Sequence, residues 1–478
     1  MTTTICDVAV IGCGAGGYKA AITASQCGAQ VVLIESESVG GSCLNRACVP
    51  KKALAHIATL LCKAQTFMGH GLKGQIFGDL PAAIAFKDKL IQDLRRGLPM
   101  RLKQFAVEMV KGQARLLSPQ RIAVDGPDGT RLIEARRIIL ATGAAPRALA
   151  CCPVDHKFIV DADSFIASLS VAPPTVLCVG GGTIGVEAAF LLQQFGSAVT
   201  LVERGPRLVD RPVVSDRAAT LLERRLKDIG VTVRKGLTVR RAQVVENGVD
   251  VQFSDGTEAR FDRVLVAVGR EPRPDDLGLQ ALGLLCDANG FVVTNDYLET
   301  SVPGIYAIGD LKGGPMTAAA ALHDGRIAGE NVARGNTRKR NYNQVPLVLD
   351  SVLPIAAVGL SEDMAEAAGF TPDVVYIPFG GSVKARAYND SVGFIEIVYD
   401  EETGQMLGGC IVGAGADELV HLLVAACRSR RGLWSFTDLD YGHPSWSEDM
   451  GTALDPYLGA LVQSANTLFR PGIYAAAD

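Results

Sequence analysis

Residues 7–36 read DVAVIGCGAGGYKAAITASQCGAQVVLIES, and their pattern returns in residues 175–204, TVLCVGGGTIGVEAAFLLQQFGSAVTLVER. Each stretch predicts an apolar strand, a glycine turn, a helix and a second strand that ends in glutamate. The equivalent residues, all at one constant offset, are Gly12 and Gly180, Gly14 and Gly182, Gly17 and Gly185, and Glu35 and Glu203. This internal duplication predicts two dinucleotide-binding βαβ units.

The glycines and the glutamates of these units have separate tasks. The first glycine permits a tight turn, the second lets the backbone approach a pyrophosphate, and the third lets the helix pack on the strand. The phosphates then meet free N–H groups at the positive end of the helix dipole. A glutamate accepts hydrogen bonds from a ribose diol, so Glu203 favours NAD over NADP. The neighbouring Arg204 keeps NADP open, although we interpret it as solvent-facing.

The remaining chain completes an α/β fold of about three domains, as its 478 residues predict. We predict two Rossmann-like units and a mixed α/β C-terminal domain. The expected boundaries are 1–148 and 276–345 for the first unit, 149–275 for the second and 346–478 for the C-terminal domain. Long helices are expected near 51–67 and 88–105.

Composition excludes several classes of protein. The net charge of −4 gives no electrostatic footprint for nucleic acid. Apolar runs are too short to span a membrane, and the N-terminus lacks the basic region of a signal peptide. We therefore expect a soluble cytoplasmic protein whose twelve cysteines are mostly reduced, buried thiols. The histidines show no metal-ligand spacing with the cysteines, so no metal site is expected.

The stretch GGSCLNRACVPKKAL, residues 40–54, is the candidate redox centre. Cys43 and Cys48 are close enough in sequence to form a disulfide across a short loop. A helix N-terminus and the adjacent Lys51 and Lys52 would stabilise a thiolate. Spacing alone also fits two unrelated thiols, but that alternative leaves the flanking glycines, Pro50 and the lysines unexplained.

This stretch resembles the redox-active segment of the pyridine nucleotide-disulfide oxidoreductases, the family of lipoamide dehydrogenase, glutathione reductase and mercuric reductase. The resemblance continues in order through IILATGAAP (138–146), VAVGREP (266–272), TSVPGIYAIGD (300–310) and HPSWSE (443–448). It implies that the first unit binds FAD, that the second binds the nicotinamide cofactor and that the C-terminal domain forms an obligate homodimer.

The resemblance also assigns roles to single residues. Cys48 matches the cysteine beside the flavin and Cys43 the one that exchanges with substrate. Glu187 matches a glutamate that pairs with a lysine of the cysteine segment, and either Lys51 or Lys52 fits that lysine. Asp310 is expected to bind the ribityl or phosphate part of FAD. The other residues implied in cofactor binding are Thr142, Gly143, Gly269, Arg270, Gly309, Met316, Thr317 and Ala318.

His443 and Glu448 supply the expected acid–base chemistry. Histidine suits proton transfer to and from a thiol because its pKa lies near operating pH, and a carboxylate on its second nitrogen sets the tautomer. An isolated His-Pro pair is usually structural, but the upstream cysteines favour function. In the family this histidine reaches the cysteines of the other subunit.

Lipoamide dehydrogenase is the family member whose motifs fit this chain best. No cysteine pair of the mercuric reductase type follows Cys427, and Glu203 replaces the basic residues of glutathione reductases. Departures occur at Ala47, at Ala319 and at Trp446, and the tail after Glu448 is longer than usual. They lead us to expect a changed substrate entrance.

We therefore expect oxidation of a protein-bound dihydrolipoyl group with NAD, the partner being a lipoyl-bearing carrier protein. The alternatives are a related NAD(P)H-dependent reductase of glutathione-like or other small disulfides, and a lipoamide dehydrogenase specialised for a non-standard carrier. A non-catalytic assembly or regulatory flavoprotein is the hypothesis from a different class.

Overall fold

The computed structural model describes residues 3–272, 277–437 and 439–454. The extended C-terminal tail singled out in the sequence lies outside these residues from 455 onward. Within the described ranges, no helix is both long and apolar enough to cross a membrane.

The first unit is built on a sheet in the order β3-β2-β1-β6-β5-β4, and a later strand, β17 (Ile305–Ala307), pairs with β6. Strands β1, β2, β3, β6 and β17 are parallel, while β4 and β5 continue antiparallel from β6. The elements are β1 (Thr3–Ile11), α1 (Ala15–Gln26), β2 (Val31–Glu35), α2 (Gly41–Asn45), α3 (Cys48–Thr66), α4 (Leu80–Gln104), β3 (Glu108–Lys111), β4 (Gln113–Ser118), β5 (Arg121–Gly126) and β6 (Gly129–Leu140).

The second unit is a parallel sheet in the order β11-β10-β9-β15-β8 with an antiparallel β12-β13-β14 meander beside it. A two-stranded ribbon of β7 and β16 connects it to the first unit. The elements are β7 (Ala144–Pro146), β8 (Ile159–Asp161), α5 (Phe165–Ser168), β9 (Thr175–Val179), α6 (Thr183–Gln194), β10 (Ala198–Glu203), α7 (Asp216–Asp228), β11 (Thr232–Lys235), β12 (Val239–Val245), β13 (Gly248–Phe253), β14 (Glu258–Phe261), β15 (Arg263–Val266) and β16 (Arg270–Pro272).

The chain then returns to the first sheet through β17 (Ile305–Ala307) and α8 (Ala318–Arg334) before it forms an antiparallel sheet in the order β18-β19-β22-β21-β20. Helix α11 packs on that last sheet through Leu419, Val420 and Leu423. The elements are β18 (Leu347–Leu349), β19 (Ile355–Gly359), α9 (Glu362–Ala367), β20 (Pro372–Pro378), α10 (Val383–Ala387), β21 (Phe394–Asp400), β22 (Met406–Val412), α11 (Ala416–Arg428), α12 (Trp434–Thr437) and α13 (Glu448–Leu454).

This α/β architecture, with two dinucleotide-binding units and a mixed C-terminal domain, confirms the predicted fold class. The parallel strands end where the chemistry-bearing residues begin. Gly12 follows β1, Thr142 follows β6 and Gly309 follows β17. In open parallel sheets, ligands bind outside the carboxyl ends of the strands, so this edge is where a site is expected.

Candidate functional site

The two glycine turns have the same geometry. Gly12 has φ +102° and Gly180 has φ +108°, and a Cβ there would lie 2.5 Å from Ala141 O and 2.4 Å from Ala267 O, respectively. A Cβ on Gly17 would lie 1.8 Å from Gly12 O, so the helix packs against the turn as closely as its backbone permits. No atom crowds the equivalent of Gly14 in the second unit. A backbone open at this position can approach a phosphate.

The two glutamates make the same hydrogen bonds in both units. Glu35 accepts from Cys13 N at 2.7 Å and from Glu37 N at 2.6 Å. Glu203 accepts from Gly181 N at 2.6 Å and from Gly205 N at 2.7 Å. Each carboxylate is thus held across its own glycine turn, and its oxygens keep lone pairs for further donors such as ribose hydroxyls.

A cavity of about 910 Å³ begins at the first glycine turn. Its volume lies at the upper end of the range of ligand pockets, about 300–1,000 Å³, so it accommodates an extended dinucleotide. The predicted site residues in its wall are Gly12, Gly14, Glu35, Cys43, Cys48, Lys51, Lys52, Thr142, Gly143, Glu187, Arg270, Gly309, Asp310, Met316, Thr317 and Ala318. The glycine turn without side chains, the oriented Glu35 carboxylate and this volume together fit FAD.

The remaining predicted site residues lie elsewhere in the described structure. Gly17 is packed behind the turn, and the second unit holds Gly180, Gly182, Gly185, Glu203 and Gly269 away from this cavity wall. Arg204 is exposed to solvent, as the sequence interpretation expected.

The cysteine segment is anchored directly on the first glycine turn. A Cβ on Gly41 would lie 2.7 Å from Gly14 Cα, so the two backbones are in contact. The Asn45 side-chain amide donates to Val39 O at 2.9 Å and to Gly41 O at 2.8 Å, and its oxygen accepts from Arg95 on α4. Asn45 and Arg95 therefore fix the loop that carries both thiols.

Cys43 and Cys48 are free thiols joined by a hydrogen bond. The hydrogen bond from Cys43 lowers the pKa of Cys48 to about 7, the Lys51 ammonium adds to this effect and burial opposes it. The same hydrogen bond, with burial, raises the pKa of Cys43 far above its usual range. Of the two cysteines, Cys48 is therefore the one that more readily forms the thiolate, and Cys43 keeps its proton.

The two lysines after Cys48 have different partners. The Lys51 ammonium contacts the Glu187 carboxylate, and both side chains are largely buried. Lys52 contacts Asp350, where half of the lysine side chain is exposed. Glu187 also accepts a hydrogen bond from Asp350 N at 3.0 Å, so the two ion pairs are adjacent. The structure thus resolves the sequence ambiguity: Lys51 is the lysine paired with Glu187.

Asp310 lies at the centre of a second charged group in the cavity wall. Arg270 donates from Nη1 to Asp163 Oδ1 at 2.7 Å, and its Nε lies 3.7 Å from Asp310 Oδ2. Burial raises the pKa of Asp310, and Arg270 limits that rise. Because Arg270 begins β16, this group connects the ribbon between the two units to the cavity.

His443 and Glu448 form a pair on the surface of the C-terminal domain. His443 Nδ1 lies 2.9 Å from Glu448 Oε2, and Glu448 Oε1 accepts from Ser445 N at 3.0 Å. The Ser445 hydrogen bond and the one with His443 lower the pKa of Glu448. The His443 side chain is 70% exposed and, among the described residues, neither member of the pair lines the cavity of its own chain.

Several residues of consequence carried no sequence signal. Asp350 and Asp163 take part in charged groups at the cavity but lie far in sequence from their partners. Asp324 lies closer in sequence to Lys312, but no motif marks the pair. Trp446, one of the departures expected at the substrate entrance, packs against Phe379 with ring centroids 5.0 Å apart, so its side chain contributes to the core of the C-terminal domain. Within the described ranges, no group of His, Cys, Asp and Glu could hold a metal ion.

Two family models and many known proteins match this chain. The family model "Pyridine nucleotide-disulphide oxidoreductase" matches residues 6–325, and the model of its dimerisation domain matches residues 345–454. The dihydrolipoyl dehydrogenase of Chlorobaculum tepidum is 35% identical over 453 residues, which cover 94% of this chain and 96% of that protein. The dihydrolipoyl dehydrogenase of Halobacterium salinarum is 34% identical over 96% of this chain and 98% of its own.

Solved structures agree with these matches. The HOCl-induced flavoprotein disulfide reductase RclA from Escherichia coli, in its Cu(II) complex, superposes with a TM-score of 0.83 at 26% identity, covering 95% of this chain and 99% of that one. LpdA from Mycobacterium tuberculosis shares the fold, with a TM-score of 0.87 at 24% identity over 96% of this chain and 100% of its own. The chain therefore belongs to the pyridine nucleotide-disulphide oxidoreductase family.

Proposed function

We propose that this protein oxidises a protein-bound dihydrolipoyl group with NAD, using Cys43 and Cys48 as its redox pair. The observation that carries this proposal is the presence of both free thiols, Cys43 and Cys48, in the wall of the dinucleotide cavity. Family membership implies FAD and a pyridine nucleotide as cofactors, and the dimerisation domain indicates a homodimer. Bound FAD would supply electron transfer between the cysteine pair and the pyridine nucleotide.

The residues that would hold FAD are those of the first glycine turn, Glu35 for the ribose, and Asp310 with its neighbours, all of which line the cavity. Lys51 and Glu187 join the cysteine segment to α6 of the second unit. Glu203 would bind the ribose of NAD, because a carboxylate repels the 2′-phosphate of NADP.

The thiol–disulfide step follows from the different surroundings of the two cysteines. Starting from the Cys43–Cys48 disulfide, a substrate thiolate attacks Sγ of Cys43 and displaces Cys48 as a thiolate. Cys48 is the better leaving group because the Lys51 ammonium favours its thiolate, and this effect does not depend on the Cys43 thiol. The second substrate thiol then attacks the other substrate sulfur, which is bonded to Cys43 in the mixed disulfide, and releases Cys43. The substrate leaves as a disulfide, and the enzyme keeps the dithiol with both electrons.

We assign the proton transfers to His443 of the partner subunit. Its Nδ1 is held by Glu448, which leaves Nε2 free to accept a proton from a substrate thiol. The exposure of the ring and its place in the dimerisation domain support a role across the subunit boundary.

The substrate class rests on the relatives, which are named dihydrolipoyl dehydrogenases. The test is NADH formation by the FAD-loaded dimer from NAD and a dihydrolipoylated carrier domain, with free dihydrolipoamide in parallel. Activity on the carrier that is lost in Cys43→Ser supports the proposal. FAD-loaded protein that makes no NADH from either substrate refutes it.

A disulfide reductase working in the opposite direction is the second candidate, favoured by the similarity to RclA, a flavoprotein disulfide reductase. Oxidation of NADH or NADPH by glutathione disulfide or another small disulfide, faster than NAD reduction by dihydrolipoyl groups, would favour this reductase.

A further inference from the structure

A buried ion pair lies beneath the segment that follows β17. Lys312 Nζ is 3.4 Å from Asp324 Oδ2, and the two side chains are only 3% and 1% exposed. Tyr342 donates its hydroxyl to Asp324 Oδ1 at 2.8 Å, and its ring faces the Lys312 ammonium at 4.7 Å. None of these three residues lines the cavity formed by the described residues.

Asp324 and Lys312 make polar contacts with backbone atoms of the turn at the cavity wall. Gly309 N donates to Asp324 Oδ2 at 3.0 Å, and Lys312 Nζ lies 3.5 Å from Gly313 O. Asp324 itself belongs to α8, whose first residues line the cavity. The ion pair therefore connects the turn that carries Asp310 to the helix that follows it.

One residue of the connected segment has a backbone conformation that needs external support. Gly309, Gly313 and Gly314 have φ of +65°, +72° and +91°, which glycine adopts without strain, whereas Met316 has φ +53°. A bulky residue such as methionine adopts positive φ only where its surroundings impose it. The polar contacts of Gly309 and Gly313 with the buried pair restrain the backbone that leads to Met316.

The burial of this pair argues against a role in stability alone. Removing both charges from water is costly, and apolar side chains of similar size stabilise such a site as well or better. Burial indeed raises the pKa of Asp324 and lowers the pKa of Lys312, each offset in part by the other group. A group that is costly to bury and bonded to the cavity wall points to a positioning role.

We propose that Asp324, with Lys312 and Tyr342, is a positioning residue for bound FAD, since it fixes the turn carrying Asp310 and the start of α8. The inference rests on the FAD of the proposed function but not on its substrate. Asp324 does not touch the cofactor in this proposal; it acts through Gly309 N and Lys312.

The test compares Asp324→Asn with Glu330→Gln in the FAD-loaded dimer. Glu330 lies on the same helix and pairs with Arg338 at 2.7 Å, but it is not among the described residues that line the cavity, which makes it a matched control. The readouts are the FAD dissociation rate, the visible spectrum and reduction potential of bound FAD, and the circular dichroism of the protein. We expect Asp324→Asn to release FAD about tenfold faster or more, with a changed spectrum and potential. Glu330→Gln should behave as wild type.

Two further variants cover the case in which Asp324→Asn does not fold. Tyr342→Phe removes one hydrogen bond to Asp324 and should speed FAD release in the same direction but less, and Asp324→Glu should restore part of the wild-type retention. Unchanged FAD retention, spectrum and potential in Tyr342→Phe, or equal effects of Asp324→Asn and Glu330→Gln, would overturn the inference. Wild-type dimer that holds FAD but does not oxidise dihydrolipoyl groups would instead refute only the proposed substrate.

Discussion

Replacing Lys51 with methionine removes the cation that faces the Glu187 carboxylate. The Glu187 side chain is 5% exposed and that of Lys51 17%, so the remaining carboxylate stays buried without a counter-charge. Removal of one partner of a buried ion pair lowers the free energy of unfolding by about 3–5 kcal/mol. Lys52→Met is the matched control, because the Lys52 side chain is 52% exposed and its pair with Asp350 is screened by water. The loss of that pair should cost only about 0–1 kcal/mol.

The same substitution changes the acidity of Cys48. Lys51 helps to lower the pKa of Cys48, after the larger effect of the Cys43 hydrogen bond, whereas Glu187 opposes it. Lys51→Met removes the favourable charge and leaves the unfavourable one, so the pKa of Cys48 must rise. We expect a rise of about one unit, equivalent to about 1.4 kcal/mol. At pH 7 the thiolate fraction would then fall from about one half to about one tenth.

The assay is the ultraviolet absorbance of the Cys48 thiolate in reduced protein, taken at each pH as the difference from Cys48→Ser. Because the pKa of Cys48 is lowered from 9.0 to about 7, wild type should carry the thiolate above neutral pH and lose it as the pH falls through about 7. The midpoint should move upward in Lys51→Met and stay in place in Lys52→Met. Equal shifts in the two variants, or a larger one in Lys52→Met, would refute the assignment of Lys51.

Two other outcomes follow from the geometry of the nucleotide units. Gly17→Ala should abolish FAD binding or folding, because its Cβ would lie 1.8 Å from Gly12 O. The control is Gly97→Ala on α4, whose Cβ meets no atom within 4 Å and which should stabilise the helix by about 1 kcal/mol. Thermal denaturation and flavin content distinguish the two variants. Glu203→Ala should raise the KM for NAD while kcat changes little, and should reduce the ratio of kcat/KM for NAD to that for NADP. A fall in kcat at unchanged KM would contradict the role of Glu203 in binding the ribose.

Patterns local in sequence predicted much of this site. The glycines and glutamates of both units act within one βαβ unit, so their spacing already determines which atoms they meet. Cys43 and Cys48 are likewise joined by a short segment. These features need no knowledge of how the units pack, and the fold class followed from their repetition.

The features that the sequence left open depend on contacts between segments that no motif connects. Lys51 and Lys52 are adjacent, and only the placement of α6 and of Asp350 decides which of them meets Glu187. Asp324 is one polar residue in an otherwise ordinary helix, and its role arises from the turn after β17 and from Tyr342. Burial of charge, which determines the value of such contacts, is a property of packing and cannot be obtained from spacing.

The position of His443 leads to a decisive test of the dimer. If His443 serves the cysteines of the partner subunit, a heterodimer of Cys43→Ser with His443→Gln contains one intact site, made from the cysteines of one chain and the histidine of the other. Separately tagged and purified, it should have about half the activity of wild type, although each parent dimer is inactive. The second heterodimer pairs a wild-type chain with a chain that carries both Cys43→Ser and His443→Gln. It should be inactive, because each of its sites then lacks either the cysteine or the histidine. Should His443 act within its own chain, the two results would be reversed. The pair of heterodimers therefore distinguishes the arrangements with any substrate that the wild-type dimer turns over.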